Sequence, residues 1–242
     1  MTTPNIDKLY IESPELFPRN VAVTLDGNRR WSKSKGLHET EGHRVSLENL
    51  RGIITRAGEL GIKTITFWVF SHENFSREKS FLDSAFKLAR EYLNKKKYFE
   101  DITKMGGKLG VIGDLSLFPK DIGQKMRELV SKSNPVEQKI AVNFALGYGG
   151  RDEMVRAFKR MVSDKVSPEE VTEEKIYTYL DMQEDIDLMI RTGARKRTSG
   201  LYIYQAAYAE LYFTDILCPD FTVEEFDKAI FDFTTRQRNF GR

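Results

Sequence analysis

Cys218 is the only cysteine in the 242 residues, so an internal disulfide and a cysteine zinc cluster are both excluded. Such usage suits a reducing compartment. Charge of one sign is also lacking. Lys and Arg number 38 against 36 Asp and Glu, a net charge of +2. That balance excludes a global basic field for nucleic acid, and any anion site must be local. No run reaches the ~18 apolar residues of a membrane span. The start, MTTPNIDKLYIESPELFPRN, shows no basic cluster followed by an apolar run, so no signal peptide is expected. Internal repeats, low-complexity tracts and interdomain linkers are absent. So are the G-x-x-x-x-G-K-[ST] and G-x-G-x-x-G phosphate loops. His38 and His72 have no metal-ligand spacing with other His or Cys, and read as surface or capping residues. The expectation is one cytoplasmic domain over residues 1–242, with 1–17 a loosely ordered N-terminal segment.

What is present is an alternation. Short β-branched runs at 20–25, 63–70, 107–113, 139–147, 187–193 and 209–217 read as strands. Between them lie amphipathic stretches. Leu47, Leu50, Ile54 and Ala57 share one face of a helix over 41–60, and Leu82, Ala85, Phe86, Ala89 and Leu93 share another, reaching about Phe99. Further helices are expected from near Pro119, at 151–164, at 173–181 and at 222–238. Strands alternating with helices of crossover length predict an α/β fold with a mostly parallel sheet of about six strands. In such sheets ligands bind beyond the carboxyl ends of the strands. Asp26, Ser71 and Arg191 all fall there.

Four polar constellations stand out. In Asp26-Gly27-Asn28-Arg29-Arg30-Trp31, followed by Gly36, Gly42 and His43, Gly27 allows close backbone approach. Arg30 and His43 supply donors for an anion. Asp26 suits a magnesium ion that shares its shell with phosphates. The alternative is a tight turn with solvated arginines. The stretch 70–77 carries Ser71, Glu73, Asn74 and Arg77 just after a strand; it reads equally as a polar helix cap. The run 191–200 places Arg191, Arg197 and Ser199 among glycines, like a polyanion cradle. Glu210 sits among apolar and aromatic residues and needs a cation or metal partner, since a buried unpaired carboxylate is expensive. Lys95, Lys96 and Lys97 read as a solvated helix face, or as a contact with anionic lipid. Cys218 reads as a packing residue.

Together these residues resemble the cis-prenyltransferase family, which includes undecaprenyl diphosphate synthase. The family pattern D-G-N-x-R-W, then G and G-H, is met at Asp26 to Trp31, Gly36, Gly42 and His43. Its F-S-x-E-N-x-x-R is met at Phe70, Ser71, Glu73, Asn74 and Arg77, and its R-x-G-x-x-x-R-x-S at Arg191, Gly193, Arg197 and Ser199. Its Q-x-A-Y-x-E-L-Y-F runs from Gln205 to Phe213. Order and spacing hold from about residue 18 to 240.

The resemblance implies a homodimeric α/β enzyme with an apolar tunnel. Such an enzyme elongates an allylic diphosphate, farnesyl or geranyl, with isopentenyl diphosphate and makes Z double bonds. Carried over by position, Gly27, Asn28, Arg29, Arg30, Trp31 and His43 would bind the allylic diphosphate. Arg191, Arg197 and Ser199 would bind isopentenyl diphosphate, with Ser71 and Glu73 also at the substrates. Asn74 and Arg77 would join Asp26 as catalytic residues, and Asp26 and Glu210 would hold Mg2+. Val69, Phe81, Ala85, Phe86, Ala89, Leu93, Ile140 and Val142 are the candidate tunnel walls. The small Ala85 and Ala89 favour a medium-to-long product, a glycosyl-carrier lipid precursor delivered through peripheral contact with the cytoplasmic face of a membrane. A short-chain or irregular prenyl diphosphate synthase is one alternative reading. A non-catalytic subunit of a heteromeric synthase is another. Departures from the family pattern are Asn20 for a frequent His, Glu39 for an Arg found in bacterial relatives, and Glu78 for Pro. Ala194-Arg195 replaces Gly-Glu, Tyr204 replaces Trp, and Asn239 stands for an Arg that reaches the partner subunit.

Overall fold

The run NVAVT forms β1 (Asn20–Thr24), buried along its whole length, as a strand covered on both faces must be. In this computed structural model, which describes residues 6–238, five more strands follow: β2 (Thr64–Ser71), β3 (Gly107–Ile112), β4 (Ile140–Tyr148), β5 (Leu188–Arg191) and β6 (Glu210–Phe213). They make one sheet in the order β3-β4-β2-β1-β5-β6, and every pairing is parallel. The chain is thus a single-domain α/β fold. All six expected strands are present, the last two shorter than their apolar runs.

Side chains alternate between the two faces of the sheet. Val21, Val23, Ile65 and Phe67 point into the larger core, with Leu50, Ile53, Ile54 and Ala57 of the helix α3 (Thr40–Glu59). Ala22, Trp68, Ala145 and Tyr148 point the other way, onto Leu201, Tyr202, Met182 and Ile186. A helix α7 (Gly150–Ser163) follows β4, and α9 (Val223–Thr234) closes the larger core with Phe226, Ile230 and Phe233. Helix α6 (Lys120–Lys132) buries Ile122 and Met126.

Three local expectations are corrected. Residues 6–17 are not loosely ordered: they form α1 (Ile6–Glu12) and a 3-10 turn (Pro14–Leu16). Ile6 and Phe17 join the core, Tyr10 packs edge-on against Phe17 with ring centres 5.1 Å apart, and Asp7 pairs with Arg56 at 2.7 Å. The helix expected to reach Phe99 is two, α4 (Lys79–Asn94) and α5 (Lys96–Lys104), because the backbone leaves helical geometry at Lys95. The break lets α5 bury Tyr98, Phe99 and Ile102. Helix α8 (Glu173–Tyr177) is shorter than expected. A further short helix, α2 (Asn28–Ser34), occupies a stretch with no apolar periodicity. Asn239 lies outside the described residues.

Candidate active site

Beyond the carboxyl ends of β1, β2 and β5 opens a cavity of about 560 Å³. Its mouth is polar and its interior, between the sheet, α3 and α4, is apolar. Asp26, Ser71 and Arg191 meet at the mouth, as expected from their places at strand ends. Six arginines line it, Arg29, Arg30, Arg77, Arg191, Arg195 and Arg197, against two carboxylates, Asp26 and Glu39. Local positive charge is therefore concentrated where the whole chain is nearly neutral, as an anion site requires.

Asp26 is the hub. Arg30 donates to its Oδ1 at 3.1 Å, and to the Gly193 carbonyl at 2.7 Å. Arg191, 5 % exposed, donates through Nη2 to Asp26 Oδ2 at 2.9 Å. Through Nη1 it reaches the Arg197 carbonyl at 2.7 Å and Ser199 Oγ at 2.6 Å. The Asp26 turn is made possible by glycine on both sides of the approach. Gly27 has φ +110°, and a Cβ there would meet Leu217 at 2.9 Å. Gly193, at φ +85°, lies so close that a Cβ would sit 2.9 Å from the Asp26 carbonyl oxygen.

The residues after Gly27 divide by task. Asn28 lines the cavity, but its side chain is engaged: it donates to the Leu25 carbonyl at 3.0 Å and accepts from Ser46 at 2.5 Å. It fixes α2 against β1 and α3. Trp31 does not line the cavity. Its Nε1 donates to Asp220 at 2.8 Å, which docks α2 on the turn Cys218–Asp220. Arg29 pairs with Glu39 at 3.0 Å. His43, in the first turn of α3, donates through Nδ1 to the Glu39 carbonyl at 3.3 Å. Burial holds its imidazole below the ordinary value, and the Arg29 and Arg77 charges act in the same direction.

On the β2 side, Asn74 accepts from the Ser71 amide at 3.1 Å, closing a capping box on the turn His72–Ser76. Arg77 lies over the Phe81 ring at 4.6 Å, a cation–π contact that holds the guanidinium at the mouth. Glu73 is exposed and is not among the lining residues. Val69, Phe81, Ala85, Phe86 and Ala89 line the apolar interior, joined by Phe118 and Leu146. Leu93, Ile140 and Val142 do not: they are buried in the packed core behind it.

Glu210 is the main displacement. It opens β6 in register with Leu188, the first residue of β5, whereas Arg191 and Asp26 lie at the other end. At ~3.3 Å per residue the separation is on the order of 10 Å along the strands, with the width of the sheet between β1 and β6 in addition. Its partner is Arg236, which donates to Oε2 at 2.6 Å. Within one chain Glu210 does not meet Asp26. Among the described residues no three His, Cys, Asp or Glu side chains converge on a metal-sized space. The donor set at the mouth is two carboxylates, Asp26 and Glu39, among arginines, and Glu39 is paired with Arg29. The set fits a hard cation that takes its remaining oxygens from a diphosphate and water.

Arg195, Phe118 and Glu153 are among the residues not singled out from the sequence. Arg195 and Phe118 line the cavity; Arg195 was visible only as a departure within a basic run. Glu153, fully buried on α7, accepts from the Asp181 amide at 2.8 Å and from Gln205 at 3.2 Å, and binds the Tyr148 hydroxyl. Burial raises its pKa. The cysteine behaves as read: it is buried, and desolvation pushes its thiol up to about 12.

The site is thus an arginine-lined mouth with an apolar interior at the carboxyl ends of a parallel α/β sheet. The family described as "Putative undecaprenyl diphosphate synthase" matches residues 24–241. An isoprenyl transferase of Aquifex pyrophilus is 40 % identical over 228 residues, 93 % of this chain and 96 % of that protein. The crystal structure of lavandulyl diphosphate synthase from Lavandula x intermedia with dimethylallyl diphosphate superposes with a TM-score of 0.86 at 29 % identity, over 94 % of this chain and 100 % of that one. That of a "probable undecaprenyl diphosphate synthase" from Campylobacter jejuni gives 0.78 at 32 % identity, over 93 % and 99 %. The chain belongs to the undecaprenyl diphosphate synthase family of cis-prenyltransferases and is a prenyl-transferring enzyme.

Proposed function

We propose that this prenyltransferase condenses isopentenyl diphosphate onto an allylic diphosphate and releases a Z-polyprenyl diphosphate. The observation that carries the reading is the linked trio Asp26, Arg191 and Ser199 at the mouth of an apolar cavity. It supplies donors for diphosphate beside room for a tail.

Arg29, Arg30 and His43 hold the allylic diphosphate on the α2–α3 side, and Arg191, Arg197 and Ser199 hold isopentenyl diphosphate. Asp26 binds Mg2+, which supplies charge neutralisation at the diphosphate. The allylic C1–O bond breaks and its electron pair leaves with diphosphate. The π electrons of isopentenyl diphosphate form the new C4–C1 bond. Loss of a proton from C2 to a base restores the double bond, so diphosphate and one proton are released. Arginines aimed at the departing diphosphate stabilise the charge that grows there. Asn74 and Arg77 border the reacting centre. The tail grows into the space between Val69, Ala85, Phe86 and Ala89. The walls of that space set tail length, Phe86 and Phe118 among them, their ring centres 5.9 Å apart.

A homodimer is part of the reading. Val155, Phe158 and Val162, spaced by three and four on α7, are all about half exposed or more, an apolar stripe that suits a second copy. No described helix is long and apolar enough to cross a membrane; peripheral contact at the cytoplasmic face for product delivery is part of the reading.

The test is elongation by the purified chain with Mg2+, farnesyl diphosphate and labelled isopentenyl diphosphate, products resolved by length. Stepwise Z-polyprenyl products support the reading, and no incorporation refutes it. The likeness to a lavandulyl diphosphate synthase favours one second reading, irregular coupling of dimethylallyl diphosphate. A branched product from dimethylallyl diphosphate alone would establish it.

A further inference from the structure

Thr192 follows Arg191 directly and is fully buried, yet it faces no ligand space. Its hydroxyl holds Asp26 at both backbone ends. It donates to the Asp26 carbonyl at 2.7 Å and accepts from the Asp26 amide at 3.0 Å. The sheet explains why a side chain is needed there. Thr24 and Arg191 are the last paired residues of β1 and β5, and the Thr192 amide adds one longer bond to the Thr24 carbonyl at 3.3 Å. Past that point the ladder ends, and Asp26 turns away with its amide also directed to Thr24 at 3.1 Å. A hydroxyl can donate once and accept as well, so one threonine does at Asp26 what a strand partner does elsewhere. The Cys218 amide adds a bond to the Asp26 carbonyl at 3.0 Å.

The end of β5 therefore grips Asp26 twice: Thr192 holds its backbone, and Arg191 holds its carboxylate. We infer that Thr192 is a positioning residue for the reaction, whose hydroxyl sets where the Asp26 carboxylate stands relative to Arg191 and the 197–199 loop. The inference rests on the proposed role of Asp26. Removing the hydroxyl without changing shape leaves the Asp26 amide with the Thr24 carbonyl alone and the Asp26 carbonyl with the Cys218 amide alone, and lets the turn shift. A misplacement on the order of 1 Å at a reacting centre can cost up to about 100-fold in rate.

The test compares Thr192→Val, Thr192→Ser and Asp26→Ala with the wild type, each assayed below its melting temperature. Thr192→Val is expected to lower kcat by about 10- to 100-fold while both substrate KM values stay within about twofold, the pattern of an interaction needed in the transition state. Thr192→Ser, which restores the hydroxyl, is expected to recover most of that loss. If Val is not tolerated in the fold, Thr192→Ala supplies the hydroxyl-free side chain for the same comparison with Ser. Wild-type kcat in Thr192→Val, with Asp26→Ala inactive, would overturn the inference alone. Equal impairment of Thr192→Val and Thr192→Ser would also overturn it, by assigning the effect to packing. Near-normal kcat in Asp26→Ala would remove the reading beneath it.

Discussion

Asp26 Oδ2 lies 2.9 Å from Arg191 Nη2, while Arg30 holds Oδ1 at 3.1 Å. Both oxygens of the carboxylate that would bind a metal are thus engaged by guanidinium groups. A diphosphate, carrying more charge than one carboxylate, competes for the same arginines. Divalent cations should therefore bind the free protein weakly and the protein with diphosphate strongly. Electron paramagnetic titration of Mn2+ with and without inorganic pyrophosphate measures this. An enhancement that disappears in Asp26→Ala is expected; equal Mn2+ affinity in wild type and Asp26→Ala, with pyrophosphate present, contradicts it.

Arg191 and Arg197 should separate in their effects. Arg197 is exposed and a charge-assisted contact contributes about 1.5–3 kcal/mol. Arg197→Ala should raise KM for isopentenyl diphosphate by about 10- to 100-fold, with KM for the allylic substrate little changed. Arg191 is buried, and its loss also removes the guanidinium that joins Asp26 Oδ2 to Ser199. Arg191→Ala should lower kcat in addition. Identical kinetic signatures for the two variants would break the distinction.

Product length is expected to respond to the cavity walls and not to the core behind them. Ala85→Leu and Ala89→Phe fill space that lines the cavity, so products should shorten while the first condensation keeps its rate. Val142→Ile lies in the packed core and should change stability with no change in length. An unchanged product ladder in both alanine variants would mean that the tail runs elsewhere.

The sheet was readable because each strand is a compact apolar run flanked by glycine or a charged turn, and a parallel sheet needs nothing more to be recognised. The gathering of Asp26, Ser71 and Arg191 followed from strand direction alone. Helix α2 was not readable: NRRWSKS carries no apolar stripe, and Trp31 and Asn28 hold it by contacts with distant segments. Thr192 was equally silent, since its partner is 166 residues away. Glu210 shows the opposite case. It stands at the start of an expected strand, and a parallel sheet puts that end opposite to Asp26, so the motif's spacing outweighed a signal that was present. Leu93, Ile140 and Val142 were read as tunnel walls because helix and strand periodicity marks an inward face without separating cavity from packed core.

The acid side of the stability curve should report on His43. Burial holds its folded pKa below the ordinary 6.5, so on unfolding below that value the side chain takes up a proton. Its contribution is complete above pH 6.5 and is lost as pH falls through the folded value. Melting temperatures measured from about pH 7 to pH 5 should fall more steeply for the wild type than for His43→Gln. Parallel curves would place the imidazole in solvent.

The central claim is that a prenyl chain is transferred at Asp26. Single-turnover elongation by Asp26→Ala, at saturating Mg2+ and both substrates, tests it most directly. The account predicts a rate lower by about 10²–10³-fold, the loss typical of one transition-state stabiliser, with the fold intact. A near-normal rate would contradict it.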